Sequence, residues 1–109
     1  MKNAKSLRYE IYVPTFYNNK KPIEKEKYEV IQRKIQKQFG KLSVHSAIIS
    51  GCWVNPCDNQ CFVDNCFKYE IIVDNNSKNK NFFKNLKEEL KDIFNQYEIF
   101  MICTEVEWI

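Results

Sequence analysis

The stretch LSVHSAIISGCWVNPCDNQCFVDNCFKYEIIV, residues 42–73, decides the fold, because it holds two long alternating segments joined by turn residues. Alternation of apolar and polar residues with a period of two is typical of half-buried β-strands. The first segment covers residues 42–54 and the second covers residues 61–73. Between them, proline fixes its own φ and asparagine tolerates a left-handed backbone, which favours a turn. The sequence therefore predicts a long hairpin whose end, residues 51–66, projects from the sheet.

Helical periodicity flanks this hairpin on both sides. Before it, the apolar residues of segment 24–39 recur at spacings of three and four, which is typical of one buried stripe on a helix. They are Tyr28, Ile31, Ile35 and Phe39. After it, segment 80–96 has the same spacing, at Phe83, Leu86, Leu90, Ile93 and Phe94. Gly40 supplies a left-handed stop for the first helix, and residues 74–80 are predicted to form a polar loop.

Each end of the chain adds one more strand, over residues 7–13 and 98–108. The resulting order, β-α-β-β-α-β, occupies all 109 residues as one domain, 1–109. A hydrophobic fraction of 44% is enough to build one core at this length. Two right-handed split β-α-β units predict an α+β, ferredoxin-like sandwich with a four-stranded antiparallel sheet. The expected strand order is 4-1-3-2, with both helices on one face.

The alternation in each strand also predicts which side chains lie on the face without helices. In the first strand, Tyr9, Ile11 and Val13 are expected to face the helices. In the last strand, the residues expected to face them are Phe100, Ile102, Val106 and Trp108. The face without helices is then expected to carry Arg8, Glu10, Tyr12, His45, Lys68, Glu70, Met101, Cys103 and Glu105. This mixed set is too polar for a second core and indicates a surface that meets a partner or a ligand.

Cysteine usage indicates a cytoplasmic protein. The chain has five cysteines, and its polar first residues, Met1 to Leu7, contain no apolar run of the kind found in signal peptides. An odd number of cysteines without such a signal favours a reducing compartment and free thiols. No stretch is long and apolar enough to span a bilayer, so no membrane association is expected.

Four cysteines cluster in the hairpin with the spacing C-x4-C-x3-C-x4-C. They are Cys52, Cys57, Cys61 and Cys66. Structural zinc sites usually have paired, shorter spacings, and a separation of five residues directs the members of each pair to opposite faces of a regular strand. Free thiols are therefore favoured over zinc, disulfides are disfavoured in the cytoplasm, and no cofactor is expected.

The charge pattern disfavours nucleic acid as a partner. The net charge is +3, and Arg8 and Arg33 are the only arginines. Lysine, asparagine and isoleucine enrichment is typical of an AT-rich genome. The stretch Ile11-Tyr-Val13 with Phe16 resembles the first strand of RNA recognition motifs. The third strand, however, carries Lys68 and Glu70 where that family has aromatic residues, and glutamates on a binding face repel phosphates.

A second resemblance extends from about Tyr9 to Val106. The matching pieces are Pro22-Ile23, Phe39-Gly40, Gly51-Cys-Trp53, Asp64, Phe94-Asn-Gln96 and Glu98-Ile99. In this layout the chain is similar to a family of small bacterial proteins known only as a domain of unknown function. The resemblance implies a ferredoxin-like fold and implies no activity.

The favoured function is that of a non-catalytic protein-binding or regulatory module. Its surface would comprise the face without helices, the loop 14–20 and the hairpin 51–66. Exposed aromatic residues beside a sheet are typical anchors of interfaces. The residues predicted to bind are Tyr12, Phe16, Tyr17, Trp53 and Asn55. The expected partner is another protein or a second copy, which would make a homodimer.

Two alternatives stay open at this level. The first is a small-ligand enzyme whose site on the face without helices is lined by Tyr12, His45, Cys103 and Glu105, because these titratable side chains would cluster there. Cys103 and His45 could form a nucleophile and its base, but no third group and no sequence signature support that pair, so His45 is interpreted as an outward-facing polar residue of its strand. The second alternative is a zinc-supported binding module that acts through the hairpin, or an RNA-binding module.

Overall fold

The computed structural model describes residues 5–52 and 61–107 of the chain. Six elements follow the predicted order: β1 Ser6–Pro14, α1 Lys25–Phe39, β2 Ser43–Cys52, β3 Cys61–Asp74, α2 Ser77–Ile93 and β4 Phe100–Val106. The four strands form one antiparallel sheet in the order β2-β3-β1-β4, which is the predicted 4-1-3-2 read from the other edge. The α+β, ferredoxin-like fold predicted from the sequence is therefore confirmed.

The register of β1 sets the two faces of the sheet, since this central strand pairs with both β3 and β4. Tyr9 lies opposite Ile71 on β3, and the next residue, Glu10, lies opposite Glu70 on β3 and Ile102 on β4. Neighbouring residues of a strand point to opposite faces. Tyr9 and Ile71 therefore belong to the face that the helices cover, while Glu10, Glu70 and Ile102 belong to the other face.

The core fills the space between the sheet and the two helices. Its buried apolar residues are Leu7, Tyr9, Ile11, Val13, Ile23, Ile31, Ile35, Tyr69, Ile71, Val73, Phe83, Leu86, Leu90, Phe94 and Ile99. At one end, the ring of Phe83 stacks on Tyr9, with ring centroids 3.8 Å apart, and on Phe39 at 5.5 Å. These contacts bring the end of α1 next to the start of α2.

A second aromatic cluster fixes the opposite end of the core. Tyr28 of α1 packs edge-on against Phe67 of β3 and contacts Phe94 at the end of α2. Its hydroxyl donates a hydrogen bond of 2.6 Å to the carbonyl of Pro14. Burial raises the pKa of Tyr28 to about 12. The start of α1 is thus attached to the end of β1.

The helices differ from the predicted bounds at three termini: α1 begins at residue 25 instead of 24, and α2 covers residues 77–93 instead of 80–96. As predicted, α1 stops at Gly40, whose φ of 74° is left-handed. Helix α2 begins at residue 77 instead of 80, because the side chain of Asn76 accepts a hydrogen bond of 2.8 Å from the backbone N–H of Asn79. The polar run predicted to be a loop is therefore an N-cap followed by a first helical turn. Neither helix of the described chain is long and apolar enough to cross a membrane.

The facing of β4 is the reverse of the sequence prediction. Met101 lies opposite Ile11, Cys103 opposite Tyr9 and Glu105 opposite Leu7, so these residues point to the helix-covered face. Phe100, Ile102 and Val106, which were expected in the core, point to the other face. Trp108 lies outside the described residues.

The reason for this reversal is that β4 has apolar residues in both alternating sets. Ile99, only 2% exposed, and Met101 enter the core and set which alternate residues face the helices. Cys103 and Glu105 continue the same set but stay exposed at the edge of the sheet. Because β4 is an edge strand, the cost of exposing part of its covered side is small, and apolarity alone does not determine its facing.

Candidate site on the open sheet face

Both helices pack on one face of the sheet, and the candidate site lies on the opposite one, called here the open face. Its described residues include Arg8, Glu10, Tyr12, His45, Lys68, Glu70, Ile72, Phe100, Ile102, Thr104 and Val106. Strand pairing arranges them in rows across the sheet. One row is aromatic and basic: His45, Lys68, Tyr12 and Phe100. The next contains the carboxylates Glu70 and Glu10, followed by Ile102.

Two aromatic rings meet in the first row. Tyr12 on the central strand lies opposite Phe100 on β4, and their ring centroids are 5.4 Å apart at an interplanar angle of 38°. Phe100 is 58% exposed, so one ring of the pair is available to a planar ligand. Tyr12 occupies the face that the sequence predicted. Phe100 was missed as a surface residue because the facing of β4 was reversed.

Two carboxylates lie directly opposite each other in the second row. Glu10 pairs with Glu70 in the β1–β3 register, an arrangement that costs free energy when both are charged. The ammonium of Lys68 lies between them, 3.7 Å from Oε1 of Glu10 and 3.8 Å from Oε2 of Glu70. Lys68 thus offsets the repulsion that the two carboxylates would otherwise produce.

Two further cationic or titratable groups approach Glu70. The Nε of Arg8 is 4.0 Å from Oε1 of Glu70, and Nε2 of His45 is 3.7 Å from Oε2. These separations exceed hydrogen-bond distance, so the pairs are electrostatic contacts without a directed bond. The Nε of Arg8 is shielded and has no hydrogen-bond partner within the described chain. The described part of the site therefore contains one shielded hydrogen-bond donor without a partner, the Nε of Arg8. It lies beside two cationic side chains, Arg8 and Lys68, and two carboxylates, Glu10 and Glu70.

Comparisons with known proteins identify the fold and not a family. No protein-family model matches the chain, and no curated protein matches it, so the resemblance to the bacterial domain of unknown function stays a prediction. A solved structure of a phage SAM lyase in complex with S-methyl-5'-thioadenosine is similar, with a TM-score of 0.61 and 18% sequence identity. The match covers 96% of this chain and 84% of that chain. At this identity the likeness shows a shared α+β fold.

The structure does not bring His45 and Cys103 together. His45 is on β2 and Cys103 is on β4, at opposite edges of the sheet and on opposite faces. A pair of Cys103 as nucleophile and His45 as base, which the sequence disfavours, is therefore not formed. Glu105 shares the facing of Cys103, so it too lies outside the open face.

Cys103 instead contacts the core. Burial, and then a hydrogen bond with the Cys103 thiol, raise the pKa of the Tyr9 hydroxyl above its ordinary range. Of the four residues predicted to line an enzyme site, Tyr12 and His45 remain on the open face. The structure adds Phe100 and the carboxylate row to them.

The two predicted binding residues in the loop between β1 and α1 have different surroundings. Phe16 is 51% exposed. The Tyr17 hydroxyl donates to the Glu24 carboxylate and accepts from the Lys27 ammonium, which also lies 4.8 Å from the ring centroid. The hydrogen bond from Tyr17 is the largest cause that lowers the pKa of Glu24. Tyr17 thus stabilises the loop. Of the two predicted binding residues in this loop, Phe16 is the one whose side chain is available to a partner.

The hairpin end lies largely outside the described residues. This applies to Trp53 and Asn55 among the predicted binding residues, and to Cys57 among the predicted zinc ligands. Cys66, the last cysteine of the cluster, is buried. The zinc hypothesis therefore stays a prediction.

Proposed function

We propose that this protein is a small-ligand enzyme that binds S-adenosylmethionine on its open face and releases S-methyl-5'-thioadenosine. The observation that carries the proposal is the row of Tyr12 and Phe100 directly beside the carboxylates Glu10 and Glu70. The fold shared with a phage SAM lyase that holds this thioether supports the choice of ligand. The predicted cytoplasmic setting fits a substrate of central metabolism.

The aromatic pair would hold the adenine. Planar bases stack on aromatic side chains presented by a sheet, and such a contact contributes about 1–3 kcal/mol per base. Tyr12 and Phe100 are 5.4 Å apart and tilted, so a purine would stack on the exposed Phe100 ring with the Tyr12 hydroxyl at its edge. Ile102, next to Phe100 on the open face, would contact the ribose.

The charged groups match the rest of the ligand. S-adenosylmethionine carries a sulfonium, an ammonium and a carboxylate. Glu10 and Glu70 offer two negative groups to the first two, and Lys68 and Arg8 offer positive groups to the carboxylate. The Arg8 Nε, which has no hydrogen-bond partner in the described chain, would gain one from that carboxylate.

The proposed release of the thioether needs little acid catalysis from the protein. The ligand's own carboxylate attacks the chain carbon bonded to sulfur, so a C–O bond forms and closes a lactone as the C–S bond breaks. The electron pair of the C–S bond stays on sulfur, so the departing thioether is neutral and needs no proton. The residues of the open face then have to hold the adenosine, keep the sulfonium near negative charge and orient the chain for reaction. Positioning of this kind can supply a large part of a rate enhancement.

The direct test is conversion of S-adenosylmethionine to S-methyl-5'-thioadenosine. We expect the purified protein to produce the thioether, measured by liquid chromatography with mass detection, at a rate above that of heat-inactivated protein. In a parallel NMR titration, S-methyl-5'-thioadenosine should shift ring signals of Tyr12 and Phe100. The proposal is wrong if no thioether forms and these signals do not move.

A second candidate function is assembly with another copy or another protein, and a separate observation favours it. We propose that the open side of β4 pairs with such a partner, because Phe100, Ile102 and Val106 place three apolar side chains there at an exposed edge of the sheet. Phe100 is exposed and Ile102 and Val106 are half-buried, and a contiguous apolar patch that solvent reaches marks an interaction surface. Val106 lies beyond the aromatic and carboxylate rows, whereas Phe100 and Ile102 are shared with the proposed ligand site, so a partner seated on them would exclude the ligand.

Light scattering on a sizing column measures this assembly. The protein should elute as a dimer or in a stable complex, and Val106→Asp should convert it to a monomer with an unchanged circular dichroism spectrum. Because Val106 is outside the ligand rows, the variant should still bind S-methyl-5'-thioadenosine. A wild-type protein that is strictly monomeric and has no co-purifying partner would contradict the assembly proposal alone.

A further inference from the structure

The helix layer has one end with an unbalanced positive charge. This basic end consists of Arg33 and Lys37 of α1 and Lys78, Lys80 and Lys84 of α2. The contacts of Phe39 with Phe82 and Phe83 bring the end of α1 and the start of α2 together. The two sets of cations therefore belong to one surface, on the side of the sheet opposite the open face.

The basic end differs from the rest of the helix layer in its ion pairing. Segments 32–41 and 77–87 contain no aspartate or glutamate. Within the described chain, none of these five cations forms an ion pair, whereas Lys34, which lies in the same segment, is paired with Glu89 of α2. At the other end of the layer the lysines are paired with carboxylates: Lys25 with Glu29, Lys27 with Glu24, Lys87 with Glu98, and Lys91 with Glu88 and Glu98.

Helix stability explains only part of this distribution. Lys37 lies in the last turn of α1, where a cation interacts favourably with the helix dipole. Lys78 and Lys80 lie in the first turn of α2, which has no acidic residue, so both sit where the dipole disfavours a cation. An external anion bound at this end would remove that unfavourable interaction.

We propose that the basic end contacts the phosphate backbone of nucleic acid without reading its sequence. Such contacts are made by lysine and arginine together with amide side chains, and the exposed amides Gln36, Gln38, Asn81 and Asn85 accompany these cations. The large exposed apolar side chains of the described protein all lie outside segments 31–41 and 77–87. The surface therefore lacks the apolar anchors that a membrane or a protein hot spot would use.

The basic end is separate from the open face, which is the surface on which the sequence disfavours nucleic acid. On the sheet face, Glu10 and Glu70 repel phosphates and disfavour nucleic acid. The helices place the basic end on the far side of the sheet, away from both carboxylates. Nucleic-acid binding there is independent of the ligand proposed for the open face.

Fluorescence anisotropy with a labelled short DNA duplex tests the proposal. Binding should weaken steeply with added salt, because phosphate contacts release counterions. The triple variant Lys78→Gln, Lys80→Gln, Lys84→Gln should weaken binding at low salt at least about tenfold. It should also reduce the magnitude of the slope of log K against log salt by about two to three, since each phosphate contact contributes about 0.9.

A matched control removes the same charge elsewhere. The triple variant Lys20→Gln, Lys21→Gln, Lys25→Gln changes three exposed lysines near the start of α1 and should alter the affinity less than about twofold. Circular dichroism confirms that both variants are folded. Equal losses in the two variants, or no duplex binding at low salt, would overturn the proposal. Binding to phosphatidylserine vesicles without binding to the duplex would overturn it as well.

Discussion

Replacement of Phe83 by alanine is expected to lower the free energy of unfolding by about 3–5 kcal/mol. Phe83 is fully buried, with an exposed fraction of 0%. Its ring stacks on Tyr9 at 3.8 Å and contacts Phe39 at 5.5 Å and Phe82 at 5.2 Å between centroids. The truncation would open a cavity where the sheet and both helices meet, and a cavity adds its own cost to the lost burial.

The measurement is urea unfolding followed by circular dichroism. A domain of this size usually has a total stability of about 5–15 kcal/mol, so the variant should be close to unfolding. Phe82→Ala is the matched control, because Phe82 is the same residue type next along the helix but only half-buried. Phe82→Ala should lower the free energy of unfolding clearly less than Phe83→Ala does. Similar losses for the two variants would show that the core is not centred on Phe83.

Removal of both open-face carboxylates is the second large effect we expect. The double variant Glu10→Gln, Glu70→Gln should lower the rate of thioether release by about 10²–10³-fold, since preorganised charged groups at a reacting centre typically contribute that much. Glutamine keeps the shape of each side chain and removes its charge. The loss would therefore report the electrostatic role of the carboxylate row.

Two features keep this experiment interpretable. The double variant removes the repulsion between Glu10 and Glu70 and also their ion pairs with Lys68 and Arg8. Because partly exposed ion pairs contribute little to stability, the variant should stay folded with a thermal midpoint close to that of the wild type. Glu105→Gln is the control, because Glu105 lies on the same sheet but on the other face. If this control loses as much activity as the double variant, the site is not on the open face.

The fold was predictable because its central strands follow a strict pattern. In β1, Tyr9, Ile11 and Val13 alternate with Arg8, Glu10 and Tyr12, and the structure confirms that each set lies on the expected face. The central position makes this pattern clear, since the covered side of β1 is buried along its whole length. The order of elements followed from the same periodicities.

The facing of β4 and the start of α2 were not predictable from local pattern. Phe100, Ile102 and Val106 alternate as a core strand would, and only the packing of Ile99 and Met101 shows that they face outward. Asn76 and Ser77 have the composition of a loop, although Asn76 caps the helix.

The candidate site was therefore predicted in part. Tyr12, His45, Lys68 and the two carboxylates were placed on the correct face from the sequence. The aromatic pair was not predicted, because Phe100 lies next to Tyr12 only as a result of the register between β1 and β4. A register between strands that are distant in sequence depends on tertiary packing, and periodicity within one strand does not determine it.

Alternate residues of strand β1 build the core and the open face, and this limits which mutations of the gene the fold tolerates. Its odd-numbered positions from 7 to 13 build the core, while Arg8, Glu10 and Tyr12 form the middle of the open face. Substitutions in one set leave the other nearly untouched, so the core and the open face can evolve separately. Insertion or deletion of a single codon within the strand would exchange the two sets beyond that point. Among descendants of this gene, length changes should therefore accumulate in the loop around Asn18 and Asn19 and be purged from β1.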